Sequence, residues 1–202
     1  MQLFLHRAND QAAIELAAIL GVGVEIDIRT HRGNPYISHD PIHSSVGLLS
    51  LDDYLRIADP RTPILLDFKE TGIITQVMEC LTDSFHALNR VFAIDLMAPD
   101  MYYAHEKGLQ TLARRSHYEV IEGYRDEEKS QFDGGWWLDF VKEPADLHQT
   151  LYSRTYVVSP ELHRWELTDG FITACWQYGF AGVCTDFPER YLKHDRDCNS
   201  RG

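Results

Sequence analysis

The sequence predicts an α/β fold, a small (β/α)8 TIM barrel with abbreviated crossovers, and three observations point to it. Eight short apolar runs recur along 202 residues, most of them separated by amphipathic stretches of helical length. Strands alternating with helices make a parallel sheet with right-handed crossovers, and eight strands close a barrel. With 44% hydrophobic residues the chain has enough apolar matter for one sizeable core. Polar residues also gather at the C-terminal ends of the runs, the face where barrels carry their chemistry. An open doubly wound sheet is the alternative that the same alternation permits. One domain is expected over 1–192, followed by a polar tail at 193–202, KHDRDCNSRG.

The first strand is LFL at 3–5. The helix DQAAIELAAIL at 10–20 puts Ile14, Ala17, Ala18 and Leu20 on one face, with Asp10 as its cap and Gly21 as its end. VEIDI at 24–28 is the second strand, and RGNPYISHDP after it is a loop or short hairpin. LSLDDYLRIA at 49–58 is a helix capped by Ser50. The third strand, TPILLDF at 62–68, precedes the helix GIITQVMECLTDSF at 72–85. The fourth, RVFAIDL at 90–96, precedes PDMYYAHEKG at 99–108, a helix closed by Gly108. LQTLARRS at 109–116 is the fifth strand. The acidic, aperiodic stretch 117–134 is a long loop or frayed helix in the fifth crossover. GWWLDFV at 135–141 is the sixth strand, and PADLHQTLYS at 144–153 is a helix that begins on a tolerated proline. TYVVS at 155–159, the helix LTDGFITACWQYG at 167–179 and the strand AGVCTDF at 181–187 complete the set.

A formal net charge of −12 repels nucleic acid phosphates and anionic membranes. Cys80, Cys175, Cys184 and Cys198 form no CxxC pair, which argues against a zinc ribbon. No apolar run reaches membrane-spanning length. The start, MQLFLHRAND, lacks the basic lead of a signal peptide. A cytoplasmic protein with reduced thiols, without nucleic acid partners or stable membrane insertion, is the expectation.

Period-two geometry decides which strand-end residues converge. Residues i and i+2 on a strand lie roughly 7 Å apart and point the same way. Glu25 and Asp27 therefore project together into the barrel mouth, as do Asp67 and Lys69. His6 and Arg7, Asp95, Arg114 and Ser116, Asp139, Ser159 and Glu161, and Thr185 and Asp186 stand at the other strand ends. Carboxylates on adjacent strands repel unless something positive lies between them. A hard divalent cation, Mg²⁺ or Ca²⁺, suits an all-carboxylate set. Internal salt bridges to Lys69, Arg7 or Arg29 would also answer the repulsion. His6 and His39 near such a cluster would suit acid–base work near neutral pH. The remaining histidines show no ligand spacing, and no Walker loop or nucleophile elbow is present.

The motifs HRAND, GVEIDIRTHRGNPYISHDP, LLDFKE and AGVCTDFPE, spread from His6 to Pro188, resemble the glycerophosphodiester phosphodiesterase family of barrel phosphodiesterases. That family opens with His-Arg-Gly and continues with Glu-x-Asp, His-Asp, Glu-x-Lys and Thr-Asp-x-Pro. The resemblance implies His6 and His39 as the acid–base pair and Glu25, Asp27 and Asp67 as holders of a divalent cation. It implies Arg7 and Lys69 as neutralisers of the substrate phosphate. The implied substrate is a small glycerol-linked phosphodiester, cleaved to an alcohol and glycerol phosphate. Three departures stand out. Ala8 replaces a glycine, Asp67 replaces a glutamate, and VVSPELHRW replaces a tryptophan-containing motif on the seventh strand. Asn9 is placed to supply a polar contact that the short first crossover otherwise lacks. Two other readings are compatible with these departures: a barrel that binds a phosphorylated ligand without turnover, and a phospholipase acting at a membrane.

Overall fold

The computed structural model describes residues 1–83, 88–116, 135–143 and 152–199. The expected helix at 144–153 and the irregular crossover at 117–134 lie wholly or largely outside these residues. Eight parallel strands close a barrel: β1 (Gln2–Leu5), β2 (Gly23–His31), β4 (Ile64–Phe68), β5 (Val91–Ile94), β6 (Gln110–Arg115), β7 (Gly135–Leu138), β8 (Thr155–Val158) and β9 (Gly182–Thr185). Closure is direct, because β1 pairs with both β2 and β9, and this rules out the open sheet.

The stretch expected as a loop or short hairpin is a hairpin: β3 (Asn34–Ile37) pairs antiparallel with an extended β2 outside the barrel. Its partner register joins His31 to Asn34. Arg32 and Gly33 thus form a two-residue turn, both with positive φ, at 52° and 83°. That is the hairpin turn whose twist matches its strands, and it carries β2 three residues past its expected end.

Helices cover the outside: α1 (Gln11–Leu20), α2 (Leu51–Ile57), α3 (Ile74–Asp83), α4 (Ala98–Glu106), α5 (Asp169–Tyr178) and α6 (Pro188–Asn199). The Asp10 side chain accepts from Ala13 N at the start of α1, and Gly21 ends it in the left-handed region. Ser50 caps α2 in the same way through Asp53 N. Much of the stretch expected as a tail belongs to α6. His194 Nε2 lies 2.8 Å from Thr173 Oγ1 on α5, so the polar sequence docks through its side chains.

Strand parity splits the core in two. Leu3, Leu5, Val24, Ile26, Ile28, Leu66 and Val183 face the helices in one buried cluster. Phe4, Leu65, Ile94, Leu112, Tyr156, Val158 and Cys184 fill the barrel interior in another. The ring of Phe4 seals the lower interior. An added Cβ at Gly23 would lie 2.6 Å from that ring, and one at Gly182 would lie 3.0 Å from it. Glycine at both positions is a demand of this close approach. No helix among the described residues is long and apolar enough to cross a membrane.

Candidate active site

Above the Phe4 layer the interior turns polar. The β2–β4 register sets Glu25 beside Leu65 and Asp27 beside Asp67. Two carboxylates thus face each other across one ladder, with a third one step below. Glu25, Asp27 and Asp67 each offer an oxygen within 4.8 Å of the others' oxygens. They are 2%, 0% and 8% exposed.

The surrounding chain holds this cluster from two sides. On one side, Lys69 Nζ lies 2.5 Å from Asp67 Oδ2 and 3.0 Å from Asp27 Oδ1. The contact with Asp27 has an ion-pair distance without hydrogen-bond geometry, since Asp27 Oδ1 has no hydrogen-bond partner. On the other, the turn after β1 lies over the carboxylates. Arg7 N donates to Glu25 Oε2 at 2.7 Å, and Ala8 N to Glu25 O at 2.8 Å. Asn9 grips Asp27 twice: its Nδ2 donates to Oδ2 at 2.6 Å and its Oδ1 accepts from Asp27 N at 3.0 Å. The residue with positive φ here is Arg7, at 50°. Ala8 is not among the positive-φ residues, so the freedom of a glycine is not needed at that position. Its methyl group is fully buried.

The electrostatics follow from this crowding. Burial, then the charges of Asp67 and Asp27, raises the Glu25 pKa well above the carboxylate range. Burial and the Asp95 charge push Asp67 up to about 7, against the opposing pull of Lys69. Burial alone would lower Lys69, but Asp67 and Asp27 outweigh it and raise the amine. Glu25 and Asp67 therefore hold a proton more readily than they would in water. A divalent cation is the natural replacement for those protons. The donor set fits one: it is all oxygen, it converges, and Asp27 Oδ1 and Asp67 Oδ1 are buried without hydrogen-bond partners.

Both predicted histidines stand at the mouth with Nδ1 engaged by an aspartate. His6 Nδ1 is 2.8 Å from Asp186 Oδ1, and His39 Nδ1 is 2.9 Å from Asp40 Oδ1. His39 is positioned by β2, since Ser38 N donates to Asp27 O and Arg29 Nε to His39 O. Arg7 Nε is 3.9 Å from Asp27 Oδ2, with about half of the side chain in solvent.

Several polar partners were beyond the sequence reading. Glu161 accepts from Ser159 Oγ, from Thr185 Oγ1 at 2.5 Å and from Asp186 N at 3.2 Å. His163 Nε2 lies 2.7 Å from the buried Asp139 Oδ1, and its ring stacks on Phe140 at 4.2 Å. Asp139 and Glu161 were visible as strand-end carboxylates. Their partners come from neighbouring strands and a following turn, and short-range spacing carries no signal for those contacts.

Fold and site together define a closed (β/α)8 barrel with an acidic, cation-fitting pocket at the C-terminal ends of its strands. Solved structures narrow the fold further. A glycerophosphoryl diester phosphodiesterase from Parabacteroides distasonis matches with a TM-score of 0.73 at 14% identity, over 98% of this chain and 86% of that one. A putative glycerophosphoryl diester phosphodiesterase from Agrobacterium tumefaciens matches at 0.72 and 12% identity, over 99% of both chains. An Oleispira antarctica phosphodiesterase, solved with the product sn-glycerol-3-phosphate, matches at 0.69 and 14% identity, over 97% of both. The described residues thus share the barrel fold of these phosphodiesterases. No protein-family model matches the sequence, and no curated relative matches it.

Proposed function

We propose that the protein is a glycerophosphodiester phosphodiesterase, a phosphoric diester hydrolase that uses a divalent cation, Mg²⁺ or Ca²⁺. The observation that carries this reading is the convergence of Glu25, Asp27 and Asp67 beside Lys69 in the mouth of this fold. A cation held by the three carboxylates would stabilise the charge that develops on the phosphoryl oxygens. Lys69 and Arg7 bring further positive charge to the same side of the substrate. His6 and His39 exchange protons through Nε2, because Nδ1 of each is engaged by Asp186 or Asp40. One assists the attacking oxygen and the other protonates the leaving alcohol. The substrate is a small glycerol-linked diester of the kind met in lipid metabolism, and the product is glycerol phosphate. The free thiols of Cys80, Cys175 and Cys184 agree with a cytoplasmic setting.

The test is release of glycerol phosphate from glycerophosphodiesters with Mg²⁺ or Ca²⁺ and with chelator. Activity is expected to need the cation and to vanish in His6→Ala and His39→Ala while the fold survives. Full activity in either variant, or in chelator, refutes the reading.

A further inference from the structure

The seventh-strand segment VVSPELHRW departs from the family pattern, and it builds a buried polar network that the proposed reaction does not use. Ser159 follows β8 with its side chain fully buried, and its Oγ donates to Glu161 Oε2. The same hydroxyl lies 2.8 Å from Tyr191 OH on α6, which is also fully buried. The other oxygen of Glu161 faces β9. Oε1 accepts from the buried Thr185 Oγ1 at 2.5 Å and from Asp186 N at 3.2 Å. Asp186 then reaches across to β1, where its Oδ1 meets His6 Nδ1 at 2.8 Å. The β1–β9 register puts Leu5 beside Thr185, so His6 and Asp186 are neighbours one step further up.

A carboxylate can only accept, so Asp186 selects the His6 tautomer with its proton on Nδ1. Its hold depends on where the end of β9 is placed. The Asp186 side chain is 48% exposed, and among the described residues its side-chain partner is His6, so its geometry follows from its backbone. The ladder aligns the strand ends, with His6 N donating to Thr185 O at 3.0 Å and Ser159 N to Cys184 O at 2.9 Å, and Glu161 fixes the turn beyond them. One carboxylate ties the hydroxyl of residue 185 and the amide of residue 186 to the end of β8, and Ser159 and Tyr191 tie Glu161 to the core. Outer-shell partners of this kind typically change activity by about 10- to 100-fold when removed.

We propose that Glu161 is a positioning residue for His6: it fixes the end of β9 so that Asp186 holds the imidazole in one tautomer and one orientation. The proposal rests on the reading of His6 as an acid–base group, and its test separates the two. Imidazole ¹⁵N spectra of histidine-labelled protein, recorded where the ring is neutral, report the tautomer without any turnover. The wild type should show His6 in the Nδ1–H form. Glu161→Ala should shift it towards the Nε2–H form favoured by a free ring. It should also lower kcat about tenfold with KM within twofold of wild type. Glu161→Gln keeps the shape of the side chain and should give a smaller change in the same direction. It also decides the matter should the alanine variant fail to fold. Asp186→Asn should reproduce the tautomer change. An unchanged Nδ1–H signal in a folded Glu161 variant, with kcat within twofold of wild type, overturns the proposal. A wild-type protein without phosphodiesterase activity would refute the reaction instead, and the ring signal would still decide the role of Glu161.

Discussion

Cation binding should stabilise the protein far more at pH 8 than at pH 5. The structure sets the size of the difference. Asp67 is pushed up to about 7 by burial and by Asp95, against an ordinary 3.8. In the cation-free protein the raised pKa means that the proton prefers the folded state. The associated stability is fully present below pH 4 and is lost as pH rises through 7. A cation has the opposite preference, since it must displace that proton. At pH 5 the displacement costs about two pKa units, or about 2.7 kcal/mol at 1.36 kcal/mol per unit. Affinity is then about 100-fold weaker than at pH 8. Cation at 100 times its pH 8 Kd gives about 2.7 kcal/mol of stability there. For a chain of this size that is a rise in Tm of about 5–11 °C. The same concentration at pH 5 is only about one Kd, worth about 0.4 kcal/mol and a degree or so. Thermal melts with Mg²⁺, Ca²⁺ and chelator between pH 5 and 8 measure this directly. Asp67→Asn should reduce the pH dependence and leave the part that Glu25 contributes. Equal shifts at pH 5 and pH 8, or no shift at pH 8, would refute the reasoning.

Three further outcomes are expected. Lys69→Met leaves Asp27 and Asp67 without their cation partner, which costs about 3 kcal/mol in urea denaturation at pH 8 without divalent cation. The loss should be smaller at pH 5, where protons take the place of the amine. Asn9→Ala removes both hydrogen bonds to Asp27 and should weaken cation binding by about 10- to 100-fold in calorimetric titration. Gly182→Ala would bring a Cβ to 2.7 Å from the Tyr156 ring and 3.0 Å from Gln2 O, so it should cost about 1–3 kcal/mol in the same urea measurement.

The barrel was legible because eight short apolar runs recur between stretches of helical length. In VEIDI and ILLDF every second residue is apolar and faces the helices, so parity alone aimed Glu25, Asp27, Asp67 and Lys69 inward. The caps at Asp10 and Ser50 were equally visible, since they depend on contacts three residues away. The β2–β3 hairpin was less so: its turn is Arg32–Gly33, and an arginine with positive φ has no compositional signature. Residues 193–199 looked like a tail because their composition is polar, while the His194–Thr173 contact that docks them joins residues 21 apart in the chain. The same holds for the site. The inward aim of Glu25 with Asp27, and of Asp67 with Lys69, follows from spacing within each strand segment. The grip of Asn9 on Asp27 and of Glu161 on β9 depends on which strands become neighbours.

The Phe4 plug has an electrical consequence. With glycines at 23 and 182 giving it room, the ring closes the barrel beneath the carboxylates. The charged mouth is thus a well with an insulating floor, open to solvent only from above. Dissolved salt shortens the reach of surface charge to about 10 Å at 0.1 M, and so it damps the field of the exposed acidic residues. Asp27 and Asp67 are 0% and 8% exposed, so mobile ions screen the pair far less than they screen surface charge. A cation held by these carboxylates would therefore answer to protons more than to ionic strength.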